Sequence, residues 1–474
     1  MPVQHTPVYV TEAERLEQEN AARQVRDLPE RPRTYHIVTY GCQMNAHDSE
    51  KLAGILSGMG MAEAADRREA DLVIFNTCCV RDNAERRALG NVTWLKELKK
   101  DKPGLIIGVC GCMVQQPGMA ERILRQYRFI DLAFGTHNLH RLPSLLLALL
   151  TQKTRVVSVT DEENLIAEGL PVKRLNAWHA YITIMYGCDN FCSYCIVPYV
   201  RGRERSRRAD DILREAEGLL QSGVKEIMLL GQNVNSYGAG TGDSFPGLLR
   251  RLDALGVERI RFMTSHPKDL SDDLIEAMAQ CKHVCNHLHL PVQSGNDDIL
   301  RLMNRRYTRE DYLRKVEKLR AAVPGIGLTT DLIVSFPGET EKQFEDTISY
   351  VKEQCTGYDN LNLATEAKSL MRVMENAQHL CSEIARDQQE NPGRVLDDAA
   401  MEEYLQDYTL SGILVLSAEG KILCGASQDG RVADPQVRTR MEKELAGSIV
   451  LKVADQPQQV YAGRTEKEDS SYVD

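Results

Sequence analysis

The sequence predicts an α/β protein. We expect a doubly wound parallel-sheet N-terminal domain, then an open, apparently truncated (β/α) barrel, and a small α+β C-terminal module. Short apolar strands alternate with helices over residues 34–150, a second alternation starts at Ala180, and the pattern changes after Gln354. Such strands, separated by helices, are typical of parallel sheets that helices cover on both faces.

The N-terminal domain is predicted over residues 34–150, after a polar and partly helical arm at 1–33. Its strands are predicted at residues 35–40, 71–75, 105–110 and 130–134. Its helices are predicted at residues 49–59, 83–99, from about 116, and 138–150. Residues 151–175 are predicted to be a linker with a strand-like stretch at 155–160.

The second domain is predicted over residues 176–358 and has five strand–helix units. The strands are expected at residues 180–186, 226–230, 259–262, 286–290 and 327–334. The helices are expected at residues 208–222, 244–255, 271–280, 295–322 and 341–354. Five such units indicate a partial or open α/β barrel, whose active sites lie at the carboxyl ends of the strands.

The third module is predicted over residues 359–474 and is acidic. It carries 21 acidic and 12 basic side chains, against 47 and 46 in residues 1–358. We expect a long helix at 361–389, a β-hairpin at 413–427 turning at Glu419-Gly420, and a helix at about 434–445. The module resembles a PAS- or Cache-like sensor region.

The composition is that of an ordinary globular protein. The chain has 474 residues, a net charge of -10 and 42% hydrophobic residues, which excludes collagen-like and largely disordered classes. No apolar run approaches the roughly 20 residues of a membrane span, and the N-terminus lacks a secretory signal. We therefore expect a cytoplasmic protein with no membrane contact. The balanced charge of residues 1–358 leaves a nucleic-acid partner possible.

Three cysteines stand close together directly after the first strand of the predicted barrel. Cys188, Cys192 and Cys195 have the spacing C-x3-C-x2-C in YGCDNFCSYC. Three thiolates can hold three corners of an iron–sulfur cube and leave one iron open, which is typical of catalysis. The alternative is a structural zinc site or chance spacing, but no C-x2-C pair follows to complete a zinc site.

A second set of cysteines follows three strands of the N-terminal sheet. Cys42, Cys78 and Cys112 each stand after a predicted strand. Loops at the carboxyl ends of neighbouring parallel strands share one edge of the sheet, so these thiols can meet. The alternative is that they are ordinary buried cysteines. Cys110, inside its strand, is expected to point away from this edge.

The motifs around both sets resemble the radical S-adenosylmethionine (SAM) methylthiotransferase family. The resemblance covers about residues 35–358 and rests on YGCQMNAHDSEKLAG, NTCCVRDNAERRALGN, GVCGCMVQQ, GCDNFCSYCIVPYVRGRERSR, LLGQNVNSYG, LHLPVQSG and TTDLIVSFPGET. It implies that Cys188, Cys192 and Cys195 hold the SAM-binding [4Fe-4S] cluster. It also implies that Cys42, Cys78 and Cys112 hold an auxiliary [4Fe-4S] cluster.

The resemblance also implies an activity. Gln43-Met44-Asn45 favours the branch of the family that modifies tRNA over the branch that modifies a ribosomal protein. The tRNA branch transfers a methylthio group to C2 of N6-(dimethylallyl)adenosine at position 37, beside the anticodon. The implied partners are the tRNA anticodon stem-loop and an electron donor such as flavodoxin or ferredoxin, and we expect a monomer.

Other residues are candidates for contacts with SAM or RNA. Gln232 and Asn233 end the second barrel strand, and Gln293 and Ser294 end the fourth, so we expect them near SAM. Helix capping or turn formation is the alternative. The basic run after the barrel cysteines predicts RNA phosphate contacts, against the alternative of a solvated loop. Its candidate residues are Arg201, Arg203 and Arg205.

The C-terminal module departs from the family. The resemblance implies a sixth barrel strand and a basic tRNA-binding TRAM domain, and neither is found in the sequence. An acidic module cannot replace a phosphate-binding domain electrostatically, so weaker tRNA binding is expected. The remaining alternatives are a methylthiotransferase for a ribosomal protein or another modified adenosine, and an inactive fusion that acts as a sensor.

Overall fold

The computed structural model describes most of the chain up to residue 356 and short segments beyond it. The described residues are 7–80, 82–160, 165–239, 241–356, 386, 397–407, 412–417, 422–427, 435, 451–452 and 458–462. They divide into two compact units, Met1–Val334 and Ser335–Asp474. None of the described helices combines the length and the apolar composition that crossing a bilayer requires.

The N-terminal part of the first unit is built on a parallel sheet. The six strands of this sheet are β2 (Thr34–Thr39), β3 (Ala62–Glu63), β4 (Leu72–Thr77), β5 (Ile106–Gly111), β6 (Leu132–Phe134) and β7 (Val156–Ser158). Two further short strands, β1 (Val8–Tyr9) and β8 (Leu165–Ile166), pair with each other. The helices are α1 (Glu12–Asp27), α2 (Gln43–Gly58), α3 (Asp82–Asp101), α4 (Met119–Gln126) and α5 (Leu142–Gln152), the last preceded by a 3-10 turn at Thr136–Arg141.

Six of these strands form one sheet in the order β3-β2-β4-β5-β6-β7, with every neighbouring pair parallel. One apolar cluster packs α2 and α5 on one face, through Leu56 and Leu146. Another packs α3 and α4 on the other face, through Leu95 and Ile123. Burial on both faces explains why the first four residues of β4 are all apolar, and the predicted doubly wound domain is confirmed.

A second series of strands and helices follows in the same unit. The strands are β9 (His179–Thr183), β10 (Met185–Tyr186), β11 (Arg205–Ser206), β12 (Glu226–Leu230), β13 (Arg259–Phe262), β14 (His287–His289) and β15 (Gly327–Thr329). Of these, β10 and β11 form a separate antiparallel pair, and the others pair in parallel. The helices are α6 (Val197–Val200), α7 (Ala209–Gln221), α8 (Phe245–Ala254), α9 (Asp272–Gln280), α10 (Asp297–Leu302) and α11 (Arg309–Ala322).

The barrel strands pair in parallel in two groups, which form an open barrel. β12 lies between β9 and β13, and β14 pairs with β15. A single bridge between Ile260 and Val284 connects the two groups. The apolar side chains of β9, β12 and β13 are largely buried, as expected for strands that alternate with helices along the sequence. The predicted open α/β barrel is confirmed.

The structure corrects four predicted elements. The single helix expected at 295–322 is two helices, because Asn304 adopts a left-handed φ of 56° and Thr308 starts α11 with a capping box to Asp311. The strand expected at 180–186 divides into β9 and β10. The strand expected at 327–334 ends at Thr329, and the stretch 155–160 adds β7 to the N-terminal sheet.

The second unit contains α12 (Glu341–Thr356), α13 (Asp398–Asp407) and an antiparallel sheet. The sheet strands are β16 (Gly412–Ser417), β17 (Ile422–Ser427), β18 (Leu451–Lys452) and β19 (Gln458–Ala462) in the order β17-β16-β19-β18. The pairing of β16 with β17 confirms the predicted hairpin. Its turn, nearly all of the helix at 361–389 and most of that at 434–445 lie outside the described residues. The predicted domain boundaries and the sensor resemblance stay predictions.

Candidate active site

The first cysteine set lies at the carboxyl edge of the N-terminal sheet. Cys42 follows β2 and forms the N-cap of α2, Cys78 follows β4, and Cys112 follows β5. Because β2, β4 and β5 are adjacent and parallel, their ends meet at this edge. Cys42 is exposed, whereas Cys78 and Cys112 are buried. Cys110, two residues before Cys112, is buried in the apolar cluster of α2 and α5.

The thiols of this set influence one another. Burial raises the pKa of Cys78, and the negative charges of Cys112 and Cys42 raise it further. The hydrogen bond from the Cys79 thiol and the nearby Arg201 guanidinium lower the pKa of Cys112, while burial opposes them. A lowered pKa favours the thiolate, the form that binds metal.

The backbone leaves space for this set only because a glycine precedes Cys42. Gly41 adopts a left-handed φ of 110°, and an added Cβ would lie 2.6 Å from the Cβ and 2.9 Å from the Sγ of Cys78. The Cys42 loop thus packs directly against Cys78. Among the described residues, no three His, Cys, Asp or Glu side chains surround a single metal ion. A cuboidal cluster instead takes each thiolate on a different iron, so this donor set fits such a cluster.

The second cysteine set lies on the loop between β10 and β11, two short strands that pair with each other at the base of the loop. β10 and β11 pair antiparallel, Met185 with Ser206 and Tyr186 with Arg205, and enclose residues 187–204. Within the loop the amide of Cys188 donates to the carbonyl oxygen of Gly202 at 3.2 Å. The amide of Cys195 donates to the carbonyl oxygen of Cys192 at 2.9 Å. The loop therefore holds all three thiols together, each partly exposed.

The loop begins at a glycine that no other residue can replace without strain. Gly187 adopts φ 74°, and an added Cβ would lie 2.0 Å from the carbonyl oxygen of Arg203. The amide of Gly187 donates to Oε1 of Gln232 at 2.5 Å. Gln232, predicted to lie near SAM, thus supports the start of the cysteine loop from the end of β12.

Gly187→Ala is expected to remove most of the iron held by the barrel cysteines. Alanine in a left-handed conformation costs about 1–2 kcal/mol by itself, and the clash with the Arg203 carbonyl displaces the loop in addition. Iron analysis of the anaerobically purified variant measures the loss. Gly169→Ala is the matched control, because Gly169 adopts φ 68° with nothing within 4 Å of an added Cβ. Equal iron contents in the two variants would contradict the expectation.

The loop of Cys188, Cys192 and Cys195 contacts polar side chains that the sequence analysis did not predict as part of the site. Burial raises the pKa of Cys188 to about 12, and Cys195 and Cys192 contribute to the rise. Nη1 of Arg305 lies 3.4 Å from the sulfur of Cys192. Asn304 donates to the carbonyl oxygens of Asn190 and Phe191 at 3.1 and 2.8 Å, which supports the left-handed Phe191.

The residues that sequence reasoning missed are Asn45, Asp48, Asn304 and Arg305. Asn45 and Asp48 stand three residues apart on α2, spacing that places both on the helix face of Cys42, and this could have indicated them. Asn304 and Arg305 are more than one hundred residues away from the loop they contact. No local pattern in the sequence points to them.

The other predicted SAM residues lie at the carboxyl ends of β12 and β14. Asn233 is buried and donates from Nδ2 to Asp269 at 2.7 Å. Gln293 adopts a left-handed φ of 73° and forms a bridge with Leu332. Ser294 is buried, and its Oγ accepts from the amide of Asn296 at 3.1 Å. These positions agree with the expectation, and binding to SAM stays a prediction.

Buried polar atoms without protein partners gather at the same strand ends. Among the described residues, Oδ1 of Asn233, the side-chain amide of Asn235, Oγ of Ser265 and Nε2 of His266 have no hydrogen-bond partner. They follow the adjacent strands β12 and β13. Burial keeps His266 neutral by lowering its pKa to about 2. Unpaired buried donors and acceptors cost free energy, so a polar ligand at this end of the barrel fits the structure.

The basic run is less exposed than the sequence predicts. Arg201 and Arg205 are each 4% exposed, and their guanidinium groups contact Asp48 and the ring of Tyr186. This burial corrects the expectation that all three arginines face RNA. Arg203 is partly exposed beside Asp189, so the RNA contact stays a prediction there. The run packs against the N-terminal domain, a long-range contact that local charge density does not reveal.

The chain matches two family models. Residues 34–135 match "Uncharacterized protein family UPF0004", and residues 182–351 match the "Radical SAM superfamily". A tRNA-2-methylthio-N(6)-dimethylallyladenosine synthase from Caldicellulosiruptor saccharolyticus is 57% identical over 324 residues, 68% of this chain and 69% of the relative. The synthase from Acetivibrio thermocellus is 53% identical over 356 residues, 73% of this chain and 74% of the relative.

The chain belongs to the family of tRNA-2-methylthio-N(6)-dimethylallyladenosine synthases. It is a radical-SAM methylthiotransferase, and membership of the superfamily implies SAM and a [4Fe-4S] cluster. A solved structure of the radical-SAM methyltransferase TsrM from Kitasatospora setae shares the fold. Its TM-score is 0.50 at 16% identity, with 68% of this chain and 71% of TsrM covered. The two matched ranges contain the two cysteine sets.

Proposed function

We propose that this synthase transfers a methylthio group to C2 of N6-(dimethylallyl)adenosine at position 37 of tRNA. The observation that carries the proposal is the presence of two three-cysteine sets in one compact unit. One set follows strands of the N-terminal sheet, and the other follows β10 of the barrel. One cluster suffices for radical chemistry, so a second thiol set calls for a second function. In this family that function is sulfur transfer.

Two [4Fe-4S] clusters belong to the proposal. Cys188, Cys192 and Cys195 would hold the SAM-binding cluster and leave one iron open for SAM. Cys42, Cys78 and Cys112 would hold the auxiliary cluster. When bound, these groups supply the electron that cleaves SAM to a 5′-deoxyadenosyl radical and the sulfur for the product.

The side chains of the protein position the reactants. The unpaired polar atoms of Asn233, Asn235 and Ser265 offer hydrogen bonds to SAM at the carboxyl ends of β12 and β13. Gln232 holds the turn before Cys188, and Arg305 holds Cys192 through its sulfur. Arg203, partly exposed on the same loop, is placed to contact a tRNA phosphate.

The partners follow from the substrate. The anticodon stem-loop presents unstacked bases, which proteins can reach more easily than paired ones. We propose flavodoxin or ferredoxin as the electron donor, a monomeric enzyme, and a cytoplasmic location with its tRNA.

Mass spectrometry of tRNA nucleosides tests the proposal. The full chain is expressed in a bacterial strain that lacks its own 2-methylthio activity. We expect 2-methylthio-N6-dimethylallyladenosine to appear, and to be absent with the Cys188→Ala, Cys192→Ala, Cys195→Ala triple variant as control. Persistence of the unthiolated nucleoside, in cells that contain the iron-loaded protein, would contradict the proposal. Methylthiolation of a ribosomal protein in the same cells would redirect it to a protein substrate.

A further inference from the structure

Arg201 lies between the two cysteine sets. It stands six residues after Cys195, at the end of α6, and its side chain extends into the N-terminal domain, where it is 4% exposed. The sequence suggested a phosphate contact for this residue. Its burial against the N-terminal sheet indicates a different role.

The three guanidinium nitrogens of Arg201 have separate partners around the first cysteine set. Nε donates to the sulfur of Cys112 at 3.2 Å. Nη2 donates to Oδ1 of Asn45 at 2.7 Å, and Nη1 pairs with Asp48 at 2.8 Å. Asn45 also donates from Nδ2 to the carbonyl oxygens of Tyr40 and Thr77, the residues before the Cys42 and Cys78 loops. Arg201 therefore joins a network that spans all three strand ends.

The backbone beside Arg201 supports the second cysteine set. The carbonyl oxygen of Gly202, the next residue, accepts from the amide of Cys188. Nη1 of Arg205 donates to the carbonyl oxygens of Arg201 and Arg203, which rigidifies the return of the loop. A movement of Arg201 would therefore shift Gly202, the next residue, and with it the hydrogen bond that holds the amide of Cys188.

The hydrogen bond from Arg201 to Cys112 is expected to change the reduction potential of a bound cluster in one direction. A hydrogen bond from a cation to a cluster-ligating sulfur stabilises the reduced, more negative form of a cluster and so raises its reduction potential. Asp48 opposes this effect, since its carboxylate neutralises part of the Arg201 charge within the same buried network. The two residues are expected to shift the potential in opposite directions.

We propose that Arg201 is a positioning residue for the cluster held by Cys42, Cys78 and Cys112: it raises the reduction potential of that cluster and ties its ligand Cys112 to the loop of Cys188. This inference rests on the proposed function, which assigns the cluster to these cysteines. The contacts of Arg201, Asn45 and Asp48 carry it.

Potentiometry followed by electron paramagnetic resonance tests the inference on the anaerobically purified full chain. The Cys188→Ala, Cys192→Ala, Cys195→Ala background isolates the signal of the first cysteine set, and the holoenzyme provides the same measurement with both sets intact. Arg201→Gln is expected to favour the oxidised form about tenfold, a lower potential by about 59 mV for a one-electron couple. Arg201→Lys is expected to shift less, because it keeps the charge.

Two further variants separate this role from a general structural one. Asp48→Asn preserves shape and is expected to raise the potential, opposite to Arg201→Gln. Arg207→Gln is the matched control. Arg207 is also buried, pairs with Glu168 and Glu215 and donates no hydrogen bond to a sulfur of the described residues, so the potential is expected to stay unchanged.

The outcomes are distinguishable from failure of the proposed function. Iron and sulfide analysis of the triple-alanine background first establishes whether Cys42, Cys78 and Cys112 bind a cluster, and its absence would overturn both proposals. With the cluster present, equal potentials for Arg201→Gln and the unsubstituted background would overturn the role of Arg201 alone. Shifts of the same sign in Arg201→Gln and Asp48→Asn would also overturn it. If Arg201→Gln does not retain iron, Arg201→Lys and Asp48→Asn give the decisive comparison.

Discussion

Replacing Cys188, Cys192 and Cys195 together with alanine is expected to abolish cleavage of SAM and to remove about half of roughly eight bound irons. The loop between β10 and β11 holds these three thiols, and the barrel places them at the strand ends where active sites lie. Without them, no site remains for the cluster that binds SAM. Iron analysis and chromatography of 5′-deoxyadenosine under reducing conditions measure the two losses.

Cys285→Ala is the control for this experiment. Cys285 is partly exposed like the loop cysteines but lies between β13 and β14, away from the loop. We expect full iron content and unchanged 5′-deoxyadenosine formation. Retention of all iron by the triple-alanine variant would show that these cysteines are not cluster ligands.

Cys112→Ala is expected to abolish the methylthiolated product while cleavage of SAM continues. The sulfur of Cys112 accepts a hydrogen bond from Nε of Arg201 at the sheet edge where Cys42 and Cys78 also lie. Its removal leaves two ligands for the auxiliary cluster, so about half of the iron is lost. The barrel set is untouched, and 5′-deoxyadenosine therefore still forms without 2-methylthio-N6-dimethylallyladenosine. Chromatography of both products from one reaction measures this separation.

Cys110→Ala is the matched control, two residues away on the same strand. Cys110 is fully buried in the apolar cluster of α2 and α5. Burial raises the pKa of Cys110 well above its ordinary value, which keeps it protonated and unsuited to bind metal. We expect normal iron content and product. Loss of the product in Cys110→Ala but not in Cys112→Ala would reverse the assignment of the ligand.

The two cysteine sets differ in how far the sequence could predict them. Cys188, Cys192 and Cys195 share one loop, so their spacing alone indicates a cluster. Cys42, Cys78 and Cys112 are joined only by the order of β2, β4 and β5 in the sheet, which the alternation of strands and helices suggests but does not specify. Family resemblance supplied the missing constraint there.

The sequence by itself determined the α/β class and the positions of most strands, and it predicted a cluster at the three cysteines of one loop, because apolar periodicity and residue spacing are local properties of the chain. Only the tertiary structure decided the environment of Arg201, which lies in contact with a sulfur 89 residues away in the sequence. A run of arginines is compatible with solvent, RNA or a buried network. Whether the arginines are buried depends on which distant elements pack against them. In the structure Arg201 packs against the N-terminal sheet and contacts Cys112, whereas the sequence had suggested a phosphate contact.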